Sequence, residues 1–192
     1  MVSLSTIATP VASHLKGFEP YFKANMSSNV PLLGIITNYI YRRKGKQLRP
    51  LLVFLSSGAT GTISQSTFVG AAMIELLHTA TLIHDDVVDE AYQRRGGFSI
   101  NALWRSKVAV LVGDFLLSKG LLLALDTDEY ELLKNMSEAV KEMSEGELMQ
   151  IDRSRRMDLN EETYLTIIQK KTATLLASCC VNGATASGAS QH

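Results

Sequence analysis

The strongest constraint on the fold is a long apolar segment that ends in three aspartates. Residues 68–83 are mostly apolar and lack the alternation of a half-exposed strand, which predicts a largely buried helix. On such a helix Asp85 and Asp89 share one face, one turn apart, with Asp86 beside them. Carboxylates repel one another and are unfavourable at a helix C-terminus. The cluster therefore indicates a cation site, for which Mg²⁺ shared with a phosphate is the natural candidate. A solvated acidic helix end is the alternative.

Composition narrows the classes of partner. The chain of 192 residues has 19 Lys and Arg and 19 Asp and Glu, so its net charge gives no reason to expect nucleic acid. Its cysteines, Cys179 and Cys180, are adjacent and offer neither a disulfide framework nor a metal clamp, so we expect small core residues. We find no apolar stretch of membrane-spanning length and no signal peptide. These features predict a cytoplasmic protein without an integral membrane segment.

Helical periodicity runs along the whole chain and predicts an all-α fold, with residues 1–192 in a single domain. Pro31 and Pro50 suit helix starts, Asn160 suits a helix N-cap, and Gly61 and Gly96 suit breaks. The predicted helices cover about residues 3–27, 31–43, 48–60, 65–89, 107–126, 129–152 and 161–187. The small, polar C-terminal stretch has little to bury, so we expect a larger domain that has been cut between helices.

Two groups of basic residues can be interpreted as anion sites. Lys46 and Arg49 lie three residues apart at a predicted helix start, where free N–H groups also favour negative charge. Arg94 and Arg95 follow the aspartates after a short turn, so metal and guanidinium groups could hold one diphosphate from two sides. In both cases a solvated basic loop is the alternative.

Two further positions carry polar groups on apolar helices. His78 lies two turns before Asp85 on nearly the same face, and it is either a hydrogen-bonded core residue or a ligand contact. Lys171 follows Lys170 and precedes Thr172 in an apolar stretch. Such a lysine either extends to solvent or closes a phosphate pocket from the opposite wall.

Taken together, six short motifs resemble the trans-isoprenyl diphosphate synthases, the polyprenyl synthetase family, and in particular its medium- and long-chain members. Their order and approximate spacing hold from about residue 40 to residue 190. They lie at residues 45–50 (GKQLRP), 75–89 (ELLHTATLIHDDVVD), 94–96 (RRG), 112–116 (VGDFL), 146–150 (GELMQ) and 171–173 (KTA).

The resemblance implies a bundle of long helices around a central cavity. It implies Mg²⁺-dependent, head-to-tail condensation of isopentenyl diphosphate with an allylic diphosphate by a homodimer. The metal ligands would be Asp85, Asp86 and Asp89, with Asp85, Asp89 and Lys171 taking part in catalysis. Isopentenyl diphosphate would bind to Lys46, Arg49, His78 and Arg95. The allylic diphosphate would bind to Arg94, Lys171 and Thr172, with Gln150 as a further contributor.

The resemblance also bears on product length. Ala80 and Thr81 lie about one turn before the metal site, where bulky aromatic residues stop elongation in the family. Here both side chains are small, and a channel could continue past Leu77 and Met73. We therefore expect a medium- or long-chain polyprenyl product.

One departure from the family is clear. Family members carry a second aspartate-rich motif, whereas this sequence has no Asp or Glu after Lys171. We therefore expect the chain to be truncated before that motif and to be weakly active or inactive by itself. Two other functions remain open. One is a non-catalytic regulatory subunit of a prenyl diphosphate synthase. The other is a class I terpene cyclase, which needs no separate pocket for a second diphosphate.

Overall fold

A computed structural model describes residues 3–43, 45–156 and 160–189, and in these residues it confirms the all-α class. Lys44 and the last three residues of the C-terminal stretch lie outside them. The described residues form nine α-helices: α1 (Leu4–Ala8), α2 (Ala12–Asn25), α3 (Pro31–Arg42), α4 (Leu48–Thr60), α5 (Gln65–Val88), α6 (Ile100–Asp126), α7 (Tyr130–Arg156), α8 (Glu161–Ile168) and α9 (Thr174–Ala186). A 3₁₀ turn, Thr9–Val11, joins α1 to α2, and a π-helical turn, Gln169–Ala173, joins α8 to α9.

Helix α5 is the centre of the bundle, and it packs against α2, α4, α6 and α9. Its residues from Gly70 to His78 are all buried, as the continuous apolar segment predicts. Aromatic rings fill the space between α2, α4 and α5, where Phe54 and Phe68 meet edge to face with centroids 4.9 Å apart. This core fixes the position of the acidic C-terminal end of α5.

Two glycines allow helices to approach closely. A Cβ atom on Gly183 of α9 would overlap the backbone oxygen of Val53 in α4 and would lie 2.9 Å from the Cβ of Ser56. A Cβ atom on Gly113 of α6 would overlap the imidazole ring of His84. The close contacts between α4 and α9 and between α5 and α6 are therefore possible because glycine has no side chain.

The structure differs from the sequence prediction between residues 93 and 106. Strands β1 (Gln93–Arg94) and β2 (Gly97–Phe98) form an antiparallel hairpin. Arg95 (φ 52°) and Gly96 (φ 73°) form its two-residue loop, and positive φ at both positions suits the twist of such a hairpin. Helix α6 starts at Ile100, seven residues before the predicted start, and Arg105 (φ 67°) interrupts its first turns. Strands of two residues are too short to show alternation.

Two helices meet the length and composition of a membrane span, so the prediction that no apolar stretch reaches that length is wrong. In α5 the most apolar window is 72% buried inside the protein, as in the core helix of a bundle. In α6 only 33% of that window is buried. Helix α6 therefore presents an apolar face outward, which includes Leu103, Val110, Leu111, Leu122 and Leu125.

The two cysteines have different environments. Cys179 lies in the core, and burial raises the pKa of its thiol to about 12, so it stays protonated. Cys180 is exposed, because adjacent helical residues point in different directions. The prediction of core residues therefore holds for Cys179 and is wrong for Cys180.

Candidate functional site

The acidic end of α5 places two carboxylates on one face. Asp89 caps the helix with helical backbone angles (φ −83°, ψ 0°), so its side chain continues the face of Asp85. Burial raises the pKa of the half-buried Asp85 carboxyl, Glu147 and Asp89 raise it further, and Lys171 opposes the shift. Negative charge is thus concentrated around Asp85, and a bound cation would relieve it.

Asp86 has a different partner. Its side chain is turned inward and buried, and it accepts a hydrogen bond of 2.6 Å from Nε of Arg94. Burial raises the pKa of Asp86, and the bond from Arg94 opposes that shift. The sequence predicts that Asp86 binds a metal together with Asp85 and Asp89, and that Arg94 binds a diphosphate. In the structure these two side chains bind each other. The pair instead fastens the hairpin to the end of α5.

The donor set fits a magnesium ion shared with a substrate. Among the described residues, no three His, Cys, Asp or Glu side chains are gathered in a group that could hold a metal by themselves. Mg²⁺ usually keeps several waters and binds one or two carboxylates together with phosphate oxygens. Asp85 and Asp89 supply two such hard oxygen ligands from one helix face.

The opposite wall of the site comes from α7 and the π-helical turn. Lys171 forms an ion pair with Glu147, and its Nζ donates a hydrogen bond of 3.2 Å to Oε1 of Gln150. Glu147 also interacts electrostatically with Asp85. Lys171, Glu147 and Gln150, called the Lys171 wall below, therefore lie near the acidic end of α5, and the closing of a phosphate pocket by Lys171 stays a prediction.

Contacts around the π-helical turn hold it against α7. Lys170 forms ion pairs with Glu142 and Glu145 of α7. A Cβ atom on Gly146 would lie 2.8 Å from the Cβ of Lys170, so the glycine allows the close approach. Thr172 lies in the same turn and is exposed. Wide turns of this kind are frequent at functional sites, because they change the direction in which side chains project.

Basic side chains cluster at the turn into α4 and around His78 of α5, and this group, Lys46, Arg49 and Arg95, is called the cationic pocket below. Gln47 (φ 51°) turns the chain into α4 and places the exposed Lys46 and the half-buried Arg49 on either side of the turn. The guanidinium of Arg95 lies against the same turn, because a Cβ atom on Gly45 would be 3.0 Å from Cζ of Arg95. The left-handed backbone at Gln47 and Arg95 costs energy, and such strain is common at functional sites.

His78 is a neutral residue beside this pocket. It is buried, and burial together with Arg49, Arg95 and Arg94 lowers its pKa to about 3. Its Nδ1 has no hydrogen-bond partner among the described residues. The imidazole can therefore offer a neutral N–H to an anion, but it adds no positive charge near neutral pH.

This pKa predicts a dependence of stability on pH. Unfolding restores an ordinary pKa of about 6.5 to His78. On acidification His78 therefore becomes protonated in the unfolded chain but stays neutral in the folded chain, which favours unfolding. Lowering the pH from about 7 to about 5 should cost about 2 kcal/mol of unfolding free energy through His78. Urea denaturation of wild type and His78→Gln at both pH values measures it, since the variant should lack this loss. Parallel pH profiles would contradict the assignment.

The residues expected to set product length also lie on α5. Ala80 and Leu77 are buried, and Thr81 is half-buried, with its Oγ1 donating to the backbone oxygen of His78 at 2.9 Å. Thr81 and Leu77 precede Asp85 by four and eight residues, so they continue its face. Ala80 is rotated away from that face.

Sequence reasoning gave no role to two acidic residues of the site. Glu147 forms an ion pair with Lys171. Its place in the site could have been inferred from the sequence, because Glu147 lies three residues before Gln150 and so shares a helix face with it. Glu75 lies in the buried segment of α5, 5% exposed. Its signal was a charge inside an otherwise apolar run, because carboxylates are rarely buried without a partner.

The fold and site together define an all-α bundle in which an acidic helix end faces a lysine wall and adjoins a cationic pocket. The family model for polyprenyl synthetase matches residues 30–192. The chain therefore belongs to the polyprenyl synthetase family.

Individual relatives agree with this assignment. The chain is 40% identical over 170 residues to the all-trans-nonaprenyl-diphosphate synthase (geranyl-diphosphate specific) of Rhodobacter capsulatus, covering 88% of this chain and 52% of that protein. It is 36% identical over 174 residues to the octaprenyl diphosphate synthase of Escherichia coli strain K12, covering 91% of this chain and 54% of that protein. The chain spans about half the length of these curated relatives.

Solved structures show the same relationship. The polyprenyl synthase of Caulobacter crescentus, complexed with calcium and isoprenyl diphosphate, superposes with a TM-score of 0.92 at 32% identity and covers 98% of this chain and 57% of that one. The decaprenyl diphosphate synthase of Rhodobacter capsulatus superposes with a TM-score of 0.91 at 33% identity, covering 97% and 58%. The similarity thus extends over nearly all of this chain.

Proposed function

We propose that this chain forms the substrate-binding half of a Mg²⁺-dependent synthase that condenses isopentenyl diphosphate with an allylic diphosphate. The observation that carries the proposal is that two different groups of charged side chains lie beside α5. One combines Asp85 and Asp89 with the Lys171 wall and suits a metal-bound diphosphate. The other combines Arg49, Arg95 and neutral His78, and it needs no metal. Two diphosphate substrates of different character require such a pair.

The residues of the first site would act on the allylic diphosphate. Asp85 and Asp89 would hold Mg²⁺, which when bound neutralises the charge that develops on the departing diphosphate. Lys171 would exchange its ion pair with Glu147 for the diphosphate oxygens, while Gln150 and Thr172 add polar contacts. Arg94 would attract the allylic diphosphate through its positive charge while its Nε stays hydrogen-bonded to Asp86.

The residues of the second site would position isopentenyl diphosphate. Lys46, Arg49 and Arg95 would donate to its diphosphate, and arginine suits this role because its planar fork matches phosphate oxygens. Holding two reactants in one orientation replaces an encounter in solution with a step inside one complex, and this supplies a large part of the rate. The apolar helices around the site would exclude water from the reacting carbon.

Binding measurements test this proposal directly. Isothermal titration calorimetry should show Mg²⁺-dependent binding of farnesyl diphosphate and metal-independent binding of isopentenyl diphosphate by the same chain. Binding of the allylic compound alone would favour a terpene cyclase. Binding of neither compound would contradict the proposal and favour a regulatory subunit.

We also propose a medium- or long-chain product, since small residues lie one turn before the metal site. Replacing Thr81, on the face of Asp85, with phenylalanine should weaken binding of geranylgeranyl diphosphate about tenfold. Binding of the much shorter dimethylallyl diphosphate should be unchanged, because its tail is no longer than the one helical turn, about 5.4 Å, that separates Thr81 from the metal site. Ala80→Phe tests the neighbouring position, Thr81→Ser is the matched control, and competition binding with Mg²⁺ gives the ratio. Equal affinity losses for both lengths would show that no tail passes here.

We also propose that the chain works in the cytoplasm as a homodimer, and the apolar face of α6 supports the dimer. Leu111 and Leu122 on this face are 59% and 51% exposed, and large exposed apolar patches usually mark protein contacts. Sedimentation equilibrium measures the assembly. A monomer at all concentrations would contradict this part of the proposal.

A further inference from the structure

Three buried polar atoms without hydrogen-bond partners lie around the cationic pocket. Within the described part of the chain, these atoms are Nε of Arg49, Oε2 of Glu75 and Nδ1 of His78. Glu75 and His78 are three residues apart on α5, and Arg49 lies in the first turn of α4, which packs against α5. Buried polar groups are nearly always satisfied, so this cluster needs an explanation.

The charges in this cluster are complementary. Arg49 and Arg95 both interact electrostatically with Glu75, and they repel each other. Burial raises the pKa of Glu75, while the two guanidinium groups oppose that shift. Among the interactions that affect Arg49, the attraction to Glu75 exceeds the repulsion from Arg95. Glu75 is therefore a buried negative charge that offsets the repulsion between Arg49 and Arg95.

A carboxylate in this place has no direct use in binding an anion, because it would repel the anion. It is useful if it holds an arginine that does bind the anion. Nε of Arg49 and Oε2 of Glu75 are a donor and an acceptor in one buried cluster, and a hydrogen bond or a bridging water between them would satisfy both. With Nε directed inward, the terminal N–H groups of Arg49 remain available to a ligand.

We propose that Glu75 is a positioning residue, whose buried carboxylate holds the Arg49 guanidinium toward the isopentenyl diphosphate pocket. This inference rests on the proposed function, which supplies the ligand. It predicts that Glu75 affects the second diphosphate site and leaves the site around Asp85 and Lys171 unchanged. It also predicts that the effect passes through Arg49.

A double-mutant cycle measured by calorimetry with isopentenyl diphosphate tests the inference. Glu75→Gln keeps the size of the side chain and removes its charge, and it should weaken binding about tenfold. In an Arg49→Ala background the same change should have almost no effect, because the group it positions is gone. Binding of farnesyl diphosphate with Mg²⁺ should be unchanged. Glu131→Gln, on the first turn of α7, is the matched control for loss of a glutamate charge.

The outcomes separate the inference from the proposed function. If wild type does not bind isopentenyl diphosphate, the proposed function fails. If wild type binds and Glu75→Gln binds equally well, the function stands and the inference fails. Equal losses in the presence and absence of Arg49 would also overturn it, since Glu75 would then act on the fold in general. If Glu75→Gln does not fold, Glu75→Asp replaces it in the cycle, with a smaller loss expected that must again depend on Arg49.

Discussion

Replacing both Asp85 and Asp89 with asparagine is expected to abolish the Mg²⁺-assisted binding of an allylic diphosphate. The change removes both charged metal ligands, and we expect each loss to cost at least as much as a hydrogen bond to a charged group, about 1.5–3 kcal/mol. Because about 1.4 kcal/mol corresponds to a factor of ten, the affinity should fall by about a hundredfold or more. Calorimetry with farnesyl diphosphate, with Mg²⁺ and with EDTA, measures this loss.

The same variant should be more stable than wild type in the absence of metal. Asp85 and Asp89 repel each other at a helix C-terminus, and the raised pKa of Asp85 shows that its charged form is disfavoured there. Loss of binding together with a higher urea midpoint would distinguish a functional site from a structural one. Asp152→Asn, which removes an exposed partner of Arg156 on α7, is the control and should leave binding unchanged. An Asp85/Asp89 variant that binds like wild type would remove the basis of the proposed metal site.

Replacing Gly183 with alanine is expected to have the largest effect on folding. The added Cβ would overlap the backbone oxygen of Val53 and crowd Ser56 and Ser57, so α4 and α9 must separate. Backbone cannot move aside as a flexible side chain can, and overpacking of this kind costs about 3 kcal/mol. That is a large part of the total stability of about 5–15 kcal/mol of an ordinary domain. Urea denaturation measures the change.

Gly34→Ala is the matched control. Gly34 also lies inside a helix, α3, but its added Cβ would meet only Ser28 at an ordinary distance of 3.9 Å. This change should be neutral or stabilise the protein by up to about 1 kcal/mol, since alanine loses less entropy in a helix. Equal effects of the two substitutions would show that the α4–α9 contact is looser than described.

Most helices could be predicted from the sequence, because their apolar periodicity and their end signals agree. Pro31 begins α3, and Asn160 caps α8 by accepting a hydrogen bond of 2.8 Å from the backbone N–H of Thr163. The shared face of Asp85 and Asp89 also follows from helical spacing alone. These features are local, so the sequence contains all the information they need.

Features that depend on distant partners could not be predicted. The hairpin at Arg95 has strands too short for a pattern, and it is held by contacts such as the 2.7 Å hydrogen bond from Tyr39 Oη to the backbone oxygen of Phe98. Helical spacing already points Asp86 about 100° away from Asp85, but only the packing of the hairpin brings Arg94 against it. The roles of Glu147 and Glu75 likewise depend on groups from other helices.

The number of residues in the π-helical turn decides which way its lysine side chains point. An α-helix advances 100° per residue, whereas the wider turn at Gln169–Ala173 accommodates one more residue in about the same angle. Both Lys170 and Lys171 can therefore reach carboxylates of a single neighbouring helix. A relative that lost one residue here would keep both lysines in its sequence and point one of them elsewhere. Counting residues in this turn should thus separate relatives that place both lysines against α7 from relatives that only have the same two lysines in their sequence.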